Sequence, residues 1–374
     1  MNYPIRVAQI IGRTLNGGVE NLIYNYYLNV DKTKIQFDFF VEKESEIINI
    51  KKIREIGGNV IIIPSYKKIF KYCYTLKNIF LKEKYDIVQS NMNSLSFFSL
   101  YAAKKASIKV RICNSLSTTN KKEKFKYLLK MIFKPFSKNF ATKYFACSNS
   151  CGEWLYGKKI IKNKNYYKIN NAIDIEKYQY NDIYRNELII KHNLDGKFII
   201  GTIGRLEPQK NQMFLLDVFK EIKNVKENSF LIIIGDGYLY ESLKNKAEQL
   251  NIEKDVMILT SKDVGVRGAA LKYYSLFDVF VLPSLYEGLP TVGIEAQINN
   301  LPCFFSSNIT KETQINDNCV FISLKYGPKY WCNEIIDYKF EFRKKSFYNE
   351  DFDVIEQGKK LTLLYEKFME EVGK

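Results

Sequence analysis

Residues 283–295 read PSLYEGLPTVGIE and contain two glutamates eight positions apart. The residues just before them, Asp278–Leu282, form a short apolar run that predicts a buried strand. Pro290 and Thr291 then mark the start of a helix. A strand, a loop and a helix therefore follow one another directly. The first N–H groups of such a helix point at the space above the strand end, as in α/β folds that bind anions.

The two glutamates of this stretch are placed to contact a ligand in that space. Glu287 falls in the loop and Glu295 about one turn into the helix. A diphosphate could rest on the helix N-terminus while the two carboxylates accept hydrogen bonds from sugar hydroxyl groups on either side of it. The pattern therefore predicts a site suited to a nucleotide-sugar.

Further motifs accompany this stretch in a fixed order along the chain, at residues 17–20 (GGVE), 146–148 (ACS), 204–212 (GRLEPQKNQ) and 235–237 (GDG). With them, most of the chain resembles the retaining glycosyltransferases of family 4, and in particular the bacterial enzymes of capsule and exopolysaccharide assembly. The spacing of the glutamates alone is weak evidence, but the upstream Gly-Arg and Lys-Asn pairs make the resemblance specific. It implies an α/β GT-B fold, with two Rossmann-like doubly wound domains facing a cleft.

The organisation of the chain agrees with two domains, since 374 residues exceed one ordinary core. Short apolar runs alternate with amphipathic stretches, which predicts thirteen strands in parallel sheets. We expect an acceptor-side domain over residues 1–180 and a nucleotide-sugar-binding domain over 181–353. The apolar face of residues 354–374 predicts a helix, and the resemblance implies that this helix packs back on the first domain.

Arg205 and Lys210 are the candidate catalytic cations. Gly204 and Arg205 follow the apolar run Phe198–Ile203, so they lie at the carboxyl end of a strand, where α/β folds bind ligands. Arginine offers a planar fork to phosphate oxygens, and lysine a point charge. The resemblance implies that the pair holds the donor diphosphate and neutralises the leaving group. Alone, such a pair is more typical of surface cations near a helix start than of a binding site.

The resemblance also assigns roles to the acidic and glycine-rich positions. Glu295 would bind the ribose hydroxyls, and Glu287 would face the transferred sugar and act in catalysis. Acids in a first helical turn also stabilise the helix, but that explains only one of the two. Main-chain groups at strand ends and helix starts would complete donor binding, at Gly17, Gly18, Gly204, Gly235, Gly237, Gly288, Leu289 and Thr291.

The expected reaction is transfer of a sugar, with retention, from a nucleotide-diphosphate donor (a UDP-sugar) to a lipid-linked glycan in surface polysaccharide assembly. No metal and no cofactor are required, because the cationic side chains stabilise the leaving diphosphate. Relatives often carry histidines where this chain has Asn91 and Asn114, and amides bind sugar hydroxyls but cannot take a proton. A sugar-nucleotide epimerase or a catalytically silent nucleotide-binding scaffold on the same fold remain alternatives.

Charge is divided unevenly along the chain. Residues 1–180 hold 32 Lys and Arg against 13 Asp and Glu, whereas the rest is slightly acidic. A basic amphipathic stretch carries lysines every four residues, Lys122, Lys126, Lys130, Lys134 and Lys138. Such a stretch is typical of contact with an anionic membrane surface, or simply of a solvated face over an apolar core. We expect a cytoplasmic protein, peripheral on the inner face of the cell membrane, with a polyprenyl-linked acceptor and no nucleic acid partner.

Overall fold

The computed structural model describes residues 4–13, 18–45, 50–118, 131–265, 270–339, 343 and 347–373. The chain forms two compact units, Met1–Asp174 together with Glu350–Lys374, and Ile175–Asn349. The chain passes between units at residues 175 and 350, where we had expected 181 and 354. Each unit is built on its own parallel sheet.

The first unit contains a parallel sheet of order β3-β2-β1-β4-β5-β6-β7. Its strands are β1 (Ile5–Gly12), β2 (Ile35–Glu42), β3 (Asn59–Ile63), β4 (Ile87–Ser90), β5 (Val110–Ser115), β6 (Lys143–Ala146) and β7 (Tyr166–Lys168). Its helices are α1 (Gly18–Asn29), α2 (Ile50–Glu55), α3 (Ile69–Glu83), α4 (Ser96–Lys105), α5 (Asn149–Tyr156), α6 (Lys158–Ile161) and α15 (Val354–Glu370), with a 3-10 turn at Asn93–Leu95.

The last helix, α15, belongs to the first unit. Leu361, Tyr365 and Phe368 on one side of it lie in the same core cluster as residues of α1, β1 and β2. Gly358 permits its close approach to α1, because a Cβ atom there would lie 2.4 Å from the carbonyl oxygen of Asn29. The carboxylate of Asp353 caps the helix by accepting from the N–H of Ile355 at 2.9 Å. The apolar face of this helix is therefore covered within the unit.

The second unit contains a parallel sheet of order β10-β9-β8-β11-β12-β13. Its strands are β8 (Phe198–Ile203), β9 (Ser229–Ile234), β10 (Val256–Leu259), β11 (Val279–Leu282), β12 (Cys303–Ser306) and β13 (Cys319–Ile322). Its helices are α7 (Ile175–Tyr178), α8 (Asp182–His192), α9 (Gln212–Val225), α10 (Tyr240–Gln249), α11 (Ser261–Val264), α12 (Leu271–Leu276), α13 (Thr291–Ile298) and α14 (Gly327–Ile336), with 3-10 turns at Glu253–Asp255, Lys311–Thr313 and Leu324–Tyr326.

Apolar side chains cover both faces of the second sheet. One core cluster includes Phe219 and Trp331, and another includes Tyr274, Phe277 and Phe280. Burial on both faces explains why β8, β9 and β11 are nearly continuous apolar runs rather than alternating ones. All thirteen strands predicted from such runs are confirmed. The least accurate is β7, which spans Tyr166–Lys168 where we had predicted residues 167–170.

Two smaller findings complete the description. His192 is half-buried, and its Nε2 lies 3.0 Å from the hydroxyl of Tyr273. Burial lowers the pKa of this imidazole below its ordinary value. Among the helices in the described residues, none has both the length and the apolar character needed to cross a membrane.

Candidate functional site

The candidate donor site lies where the strand order of the second sheet reverses. Strands β8 and β11 pair in parallel, with Val279 opposite Ile200, although two strands, β9 and β10, lie between them in the chain. In doubly wound sheets, the loops that leave two such strands at their carboxyl ends diverge and leave room for a ligand. The loop after β8 begins at Gly204 and the loop after β11 at Pro283. The topology therefore brings together the two motifs that the sequence singled out.

Lys210 and Glu287 join these two loops. Nζ of Lys210 lies 2.7 Å from Oε1 of Glu287, and their side chains are 12% and 9% exposed. The same carboxylate accepts from the hydroxyl of Ser284 at 3.0 Å and from Nε2 of Gln209 at 3.2 Å. Glu287 is thus held from three sides, and the lysine has two further N–H donors with which to contact a ligand.

Arg205 differs from Lys210 in exposure. Its side chain is 62% exposed and pairs with Glu207 at 2.9 Å, which is a weak surface interaction. Its backbone is fixed, since its carbonyl accepts from Nε2 of buried Gln212 at 2.9 Å. A fixed backbone with an exposed guanidinium suits the capture of an anionic ligand that arrives from solvent.

Gly235 and Gly237 are required by close packing of main chains. A Cβ atom at Gly235 would lie 2.0 Å from the carbonyl oxygen of Gly204, and one at Gly237 would lie 2.3 Å from that of Leu206. The loop after β9 therefore lies directly on the loop after β8. At Gly204 a Cβ would approach only the flexible Lys210 side chain, at 3.0 Å. Gly235 and Gly237 are thus required by the packing of the two loops, independently of any contact with a ligand.

Helix α13 begins as the sequence predicted, after Pro290 and at Thr291. The N–H of Gly293 already donates to the carbonyl of Pro290 at 3.0 Å, while Thr291 and the next residue precede the first intrahelical bond. Gly288 and Leu289 are buried, so these two contribute main-chain groups rather than exposed side chains. The start of α13 directs donors toward the same side of the sheet as Lys210.

Glu295 has a partner that sequence reasoning missed. The hydroxyl of Tyr274, a residue of α12 that is 1% exposed, donates to Oε2 of Glu295 at 2.5 Å. Burial, and then the adjacent carboxylate, raise the pKa of this phenol well above its ordinary value, so it stays protonated as a donor. No spacing rule links a tyrosine to a glutamate 21 positions later, so nothing in the sequence indicated this contact.

In the first unit, the predicted sugar-side amides belong to a hydrogen-bonded ring. Tyr365 donates to Gln89 at 2.7 Å, Gln89 to Asn91 at 3.2 Å, Asn91 to Gln9 at 3.0 Å, and Gln9 back to Tyr365 at 3.3 Å. Asn114 donates to Asn91 at 2.8 Å. All five side chains are at least nine-tenths buried. Asn91 and Asn114 are therefore fixed by the fold, whatever ligand they contact.

A small cavity adjoins the amide ring. Its volume is about 20 Å³, and Gln9, Gln89 and Asn114 supply its polar lining. Among the described residues, Oδ1 of Asn114 has no hydrogen-bond partner. A volume of this size accommodates one water molecule, which could satisfy that oxygen.

The remaining predicted site residues are only partly described. Gly18 is the first residue of α1, and no atom of the described residues lies within 4 Å of the position that its Cβ would take, whereas Gly17 lies outside the described residues. Lys122, Lys126 and Lys130 also lie outside them. Lys134 and Lys138 are half-buried in a run of turns rather than on a regular helix, and Lys134 lies 5.3 Å from the ring centre of Trp154. Lys134 is thus partly structural.

The described donor-site residues suit one kind of chemistry. A fixed lysine, an exposed arginine and the start of α13 can stabilise negative charge, and two held carboxylates can accept hydrogen bonds from hydroxyl groups. Among the described residues, no group of three or more His, Cys, Asp or Glu side chains is placed to hold a metal ion.

Comparison with known proteins agrees with this geometry. Residues 185–320, which span most of the second unit, match the family model described as glycosyl transferases group 1. EpsF of Bacillus subtilis (strain 168), provisionally described as a glycosyltransferase, is 30% identical over 341 residues, 88% of this chain and 86% of its own. The Escherichia coli UDP-Gal:alpha-D-GlcNAc-diphosphoundecaprenol alpha-1,3-galactosyltransferase is 29% identical over 67% of this chain and 64% of its own.

The fold is shared with solved structures. Anabaena Alr3699/HepE, crystallised in complex with UDP and glucose, superposes with a TM-score of 0.74 over 99% of this chain and 100% of its own. Its sequence identity to this chain is 13%, so the likeness concerns the fold alone. The arrangement of two doubly wound parallel sheets is the GT-B fold that the motifs had implied.

Proposed function

The chain belongs to the glycosyl transferases of group 1, and from that premise we propose that it transfers a sugar from a UDP-sugar to a lipid-linked glycan during surface polysaccharide assembly. The observation that carries the proposal is the joining of two loops at the strand-order reversal, where Lys210 contacts Glu287 at 2.7 Å. The cation and the carboxylate of this pair, together with the helix α13 that follows the same loop, support binding of an anionic donor here.

We assign the roles as follows. Arg205, Lys210 and the main-chain donors of Gly288, Leu289 and Thr291 bind the diphosphate, while Glu295 accepts from the ribose hydroxyls. Glu287 faces the transferred sugar and is held in place by Lys210, Ser284 and Gln209. Gly204, Gly235 and Gly237 let main chain approach the nucleotide closely. Gly17 and Gly18 of the first unit are further donor-binding candidates.

The proposed reaction retains the configuration of the anomeric carbon. The bond from that carbon to the diphosphate oxygen breaks on the same face on which the bond to the acceptor oxygen forms. The acceptor proton passes to the departing phosphate oxygen, so no protein base is needed. This fits the amide side chains at Asn91 and Asn114, which can orient a hydroxyl but cannot take its proton. Arg205 and Lys210 stabilise the charge on the diphosphate, a role that a metal ion plays in other enzymes, and we propose that none is required.

We infer the classes of donor and acceptor from the ligand of one similar protein and the substrate of another. UDP is the nucleotide in the crystallised complexes of HepE, and the galactosyltransferase named above acts on a diphosphoundecaprenol-linked sugar. A lipid-linked acceptor keeps its lipid in a membrane, so we propose that this protein works in the cytoplasm, at the inner face of the cell membrane. The excess of basic residues in the first 180 positions supports this location.

The experiment is to incubate the protein with each UDP-sugar and an undecaprenyl-diphosphate-linked sugar, and to analyse both substrates by mass spectrometry. A glycosylated lipid supports the proposal. An isomerised donor with unchanged lipid would indicate an epimerase instead, and donor binding without conversion of either substrate would indicate a silent scaffold. Lys210→Met serves as the inactive control, because it removes the cation from the fixed pair.

A further inference from the structure

Helix α3 carries a second apolar side that faces solvent. Tyr72, Leu76 and Phe80 on one side of it are buried in the first unit. On the other side Phe70 is 92% exposed, Tyr74 69% and Leu81 51%. These three residues are spaced by four and seven positions, so they project from one side of the helix. An apolar stripe this exposed usually marks an interaction surface.

Lysines surround this stripe. Between residues 67 and 84 the chain has six lysines, Lys67, Lys68, Lys71, Lys77, Lys82 and Lys84, and Glu83 as its only acid. Glu83 is turned toward the sheet, since its carboxylate lies 3.7 Å from Arg6 of β1 and its carbonyl accepts from the same arginine. Glu83 is therefore paired with Arg6, and the charged residues that flank the apolar stripe are lysines. We call Phe70, Tyr74, Leu81 and the six lysines the α3 face.

The neighbouring helix extends the same chemistry. Helix α4 packs against α3, where Sγ of Cys73 lies 3.7 Å from the carbonyl of Phe98. On α4, Tyr101 is 36% exposed, and Nζ of Lys105 lies 5.7 Å from its ring centre. Lys104 lies over the ring of Phe140 at 5.4 Å. Aromatic rings with adjacent lysines thus recur on both helices.

We propose that the α3 face docks the protein on an anionic lipid surface. Helix α3, with 15 residues, is about 22 Å long. It would lie parallel to the bilayer surface, with Phe70, Tyr74 and Leu81 inserted between the lipid headgroups. The lysine stems reach outward so that their ammonium groups meet lipid phosphates. An acidic protein groove would match the charge, but it would not explain an exposed aromatic stripe flanked by lysines on every side. This inference rests on the proposed function, because a lipid-linked acceptor requires the enzyme to reach a membrane.

The test is co-sedimentation with phosphatidylcholine vesicles, with and without phosphatidylglycerol. We expect the wild-type protein to pellet only with the anionic vesicles and to be released by salt. The triple variant Phe70→Ser, Tyr74→Ser, Leu81→Ser should lose at least about tenfold in partition coefficient, since it removes most of the inserted area. Lys71→Gln with Lys77→Gln should lose roughly 25-fold, given about fivefold for each lysine near the surface.

The matched control is Ile183→Ser with Ile190→Ser on α8, where the two side chains are 66% and 77% exposed. This variant should pellet like the wild type. The proposal is overturned if the α3 triple variant pellets as well as the wild type, or if the wild type pellets with neither vesicle. If the wild type pellets with neither vesicle, a protein or a nucleic acid would remain as the candidate partner of the α3 face.

A parallel measurement separates this inference from the proposed function. Stabilisation by UDP-sugar should be the same in the α3 triple variant as in the wild type, because these residues lie in the first unit and outside the donor loops. Unchanged donor binding with lost vesicle binding supports both proposals. Vesicle binding without any donor effect in the wild type would contradict the proposed function while supporting the α3 face.

Discussion

Nζ of Lys210 lies 2.7 Å from Oε1 of Glu287, and the two residues come from loops that are 77 positions apart in sequence. The loops leave β8 and β11, which pair directly in the sheet. The ion pair therefore depends on correct folding of the whole second unit. It also presets the orientation of the carboxylate before a sugar arrives, which lowers the ordering cost of binding.

Replacing Lys210 by methionine should abolish most of the transfer activity. The change keeps the length of the apolar stem and removes the charge that stabilises the leaving diphosphate. We expect kcat to fall by about 10²- to 10³-fold, the usual effect of losing one such donor. Lys246→Met is the control, because Lys246 forms a comparable pair with Asp217 at 2.6 Å away from the two loops. An equal loss of kcat in Lys210→Met and Lys246→Met would show that Lys210 contributes only to the stability of the fold.

Tyr274→Phe should weaken donor binding and leave the fold intact. It removes the hydroxyl that donates to Glu295 at 2.5 Å but keeps the buried ring. A hydrogen bond to a charged group contributes about 1.5–3 kcal/mol, so the Kd for UDP-sugar should rise roughly tenfold or more, as measured by calorimetry. Tyr330→Phe, at a tyrosine that is 43% exposed, should leave the Kd unchanged.

The raised pKa of Tyr274 leads to a prediction about pH dependence. Because the pKa of Tyr274 is raised well above its ordinary value, its hydroxyl remains a donor at alkaline pH. The difference in donor affinity between wild type and Tyr274→Phe should therefore stay constant from about pH 7 to about pH 10.5, through the ordinary tyrosine pKa of about 10 at which an unshifted phenol would ionise. A difference that disappears across this interval would mean that the phenol ionises.

Gly237→Ala should destabilise the second unit far more than Gly196→Ala. At Gly237 the new methyl group would lie 2.3 Å from the carbonyl oxygen of Leu206, so main chain must move. At Gly196 the φ angle is +66° and no atom of the described residues lies within 4 Å of the Cβ position, so only the backbone cost of about 1–2 kcal/mol applies. Urea unfolding of both variants measures the contrast. Equal midpoints would contradict the packing of the two loops.

Tyr365→Phe should destabilise the first unit by about 1–3 kcal/mol. The variant leaves Gln89 without its donor and Gln9 without its acceptor inside a buried ring of amides. Hydrogen exchange in α15 and β4, compared with urea unfolding, should report the loss. Tyr101→Phe, at a partly exposed tyrosine of the same unit, should have a far smaller effect.

Much of the fold was predictable because local signals sufficed. The parallel strands are buried on both faces, so each appears as an apolar run, and α13 begins at the Pro290–Thr291 signal. Local patterns determined these features, and tertiary contacts did not override them.

The details of the site were less predictable because they depend on distant residues. The sequence indicated Lys210 and Glu287 separately but not their contact, which follows from the pairing of β8 with β11. It also gave no sign that Tyr274 holds Glu295, nor that Tyr365 closes the ring of Gln9, Gln89 and Asn91. Gly235 and Gly237 were predicted as donor-binding positions, and the sequence did not indicate their close contact with the main chain of Gly204 and Leu206.

The measurement that tests the central claim most directly is a thermal-shift titration with UDP-, GDP-, ADP- and dTDP-sugars on wild type, Glu295→Ala and the exposed control Glu227→Ala. At a hundred times its Kd, a ligand stabilises the folded state by about 2.7 kcal/mol. We predict a shift with UDP-sugar in the wild type and the control, and its loss in Glu295→Ala. No shift with any nucleotide-sugar, or an undiminished shift in Glu295→Ala, would contradict the assignment of this site.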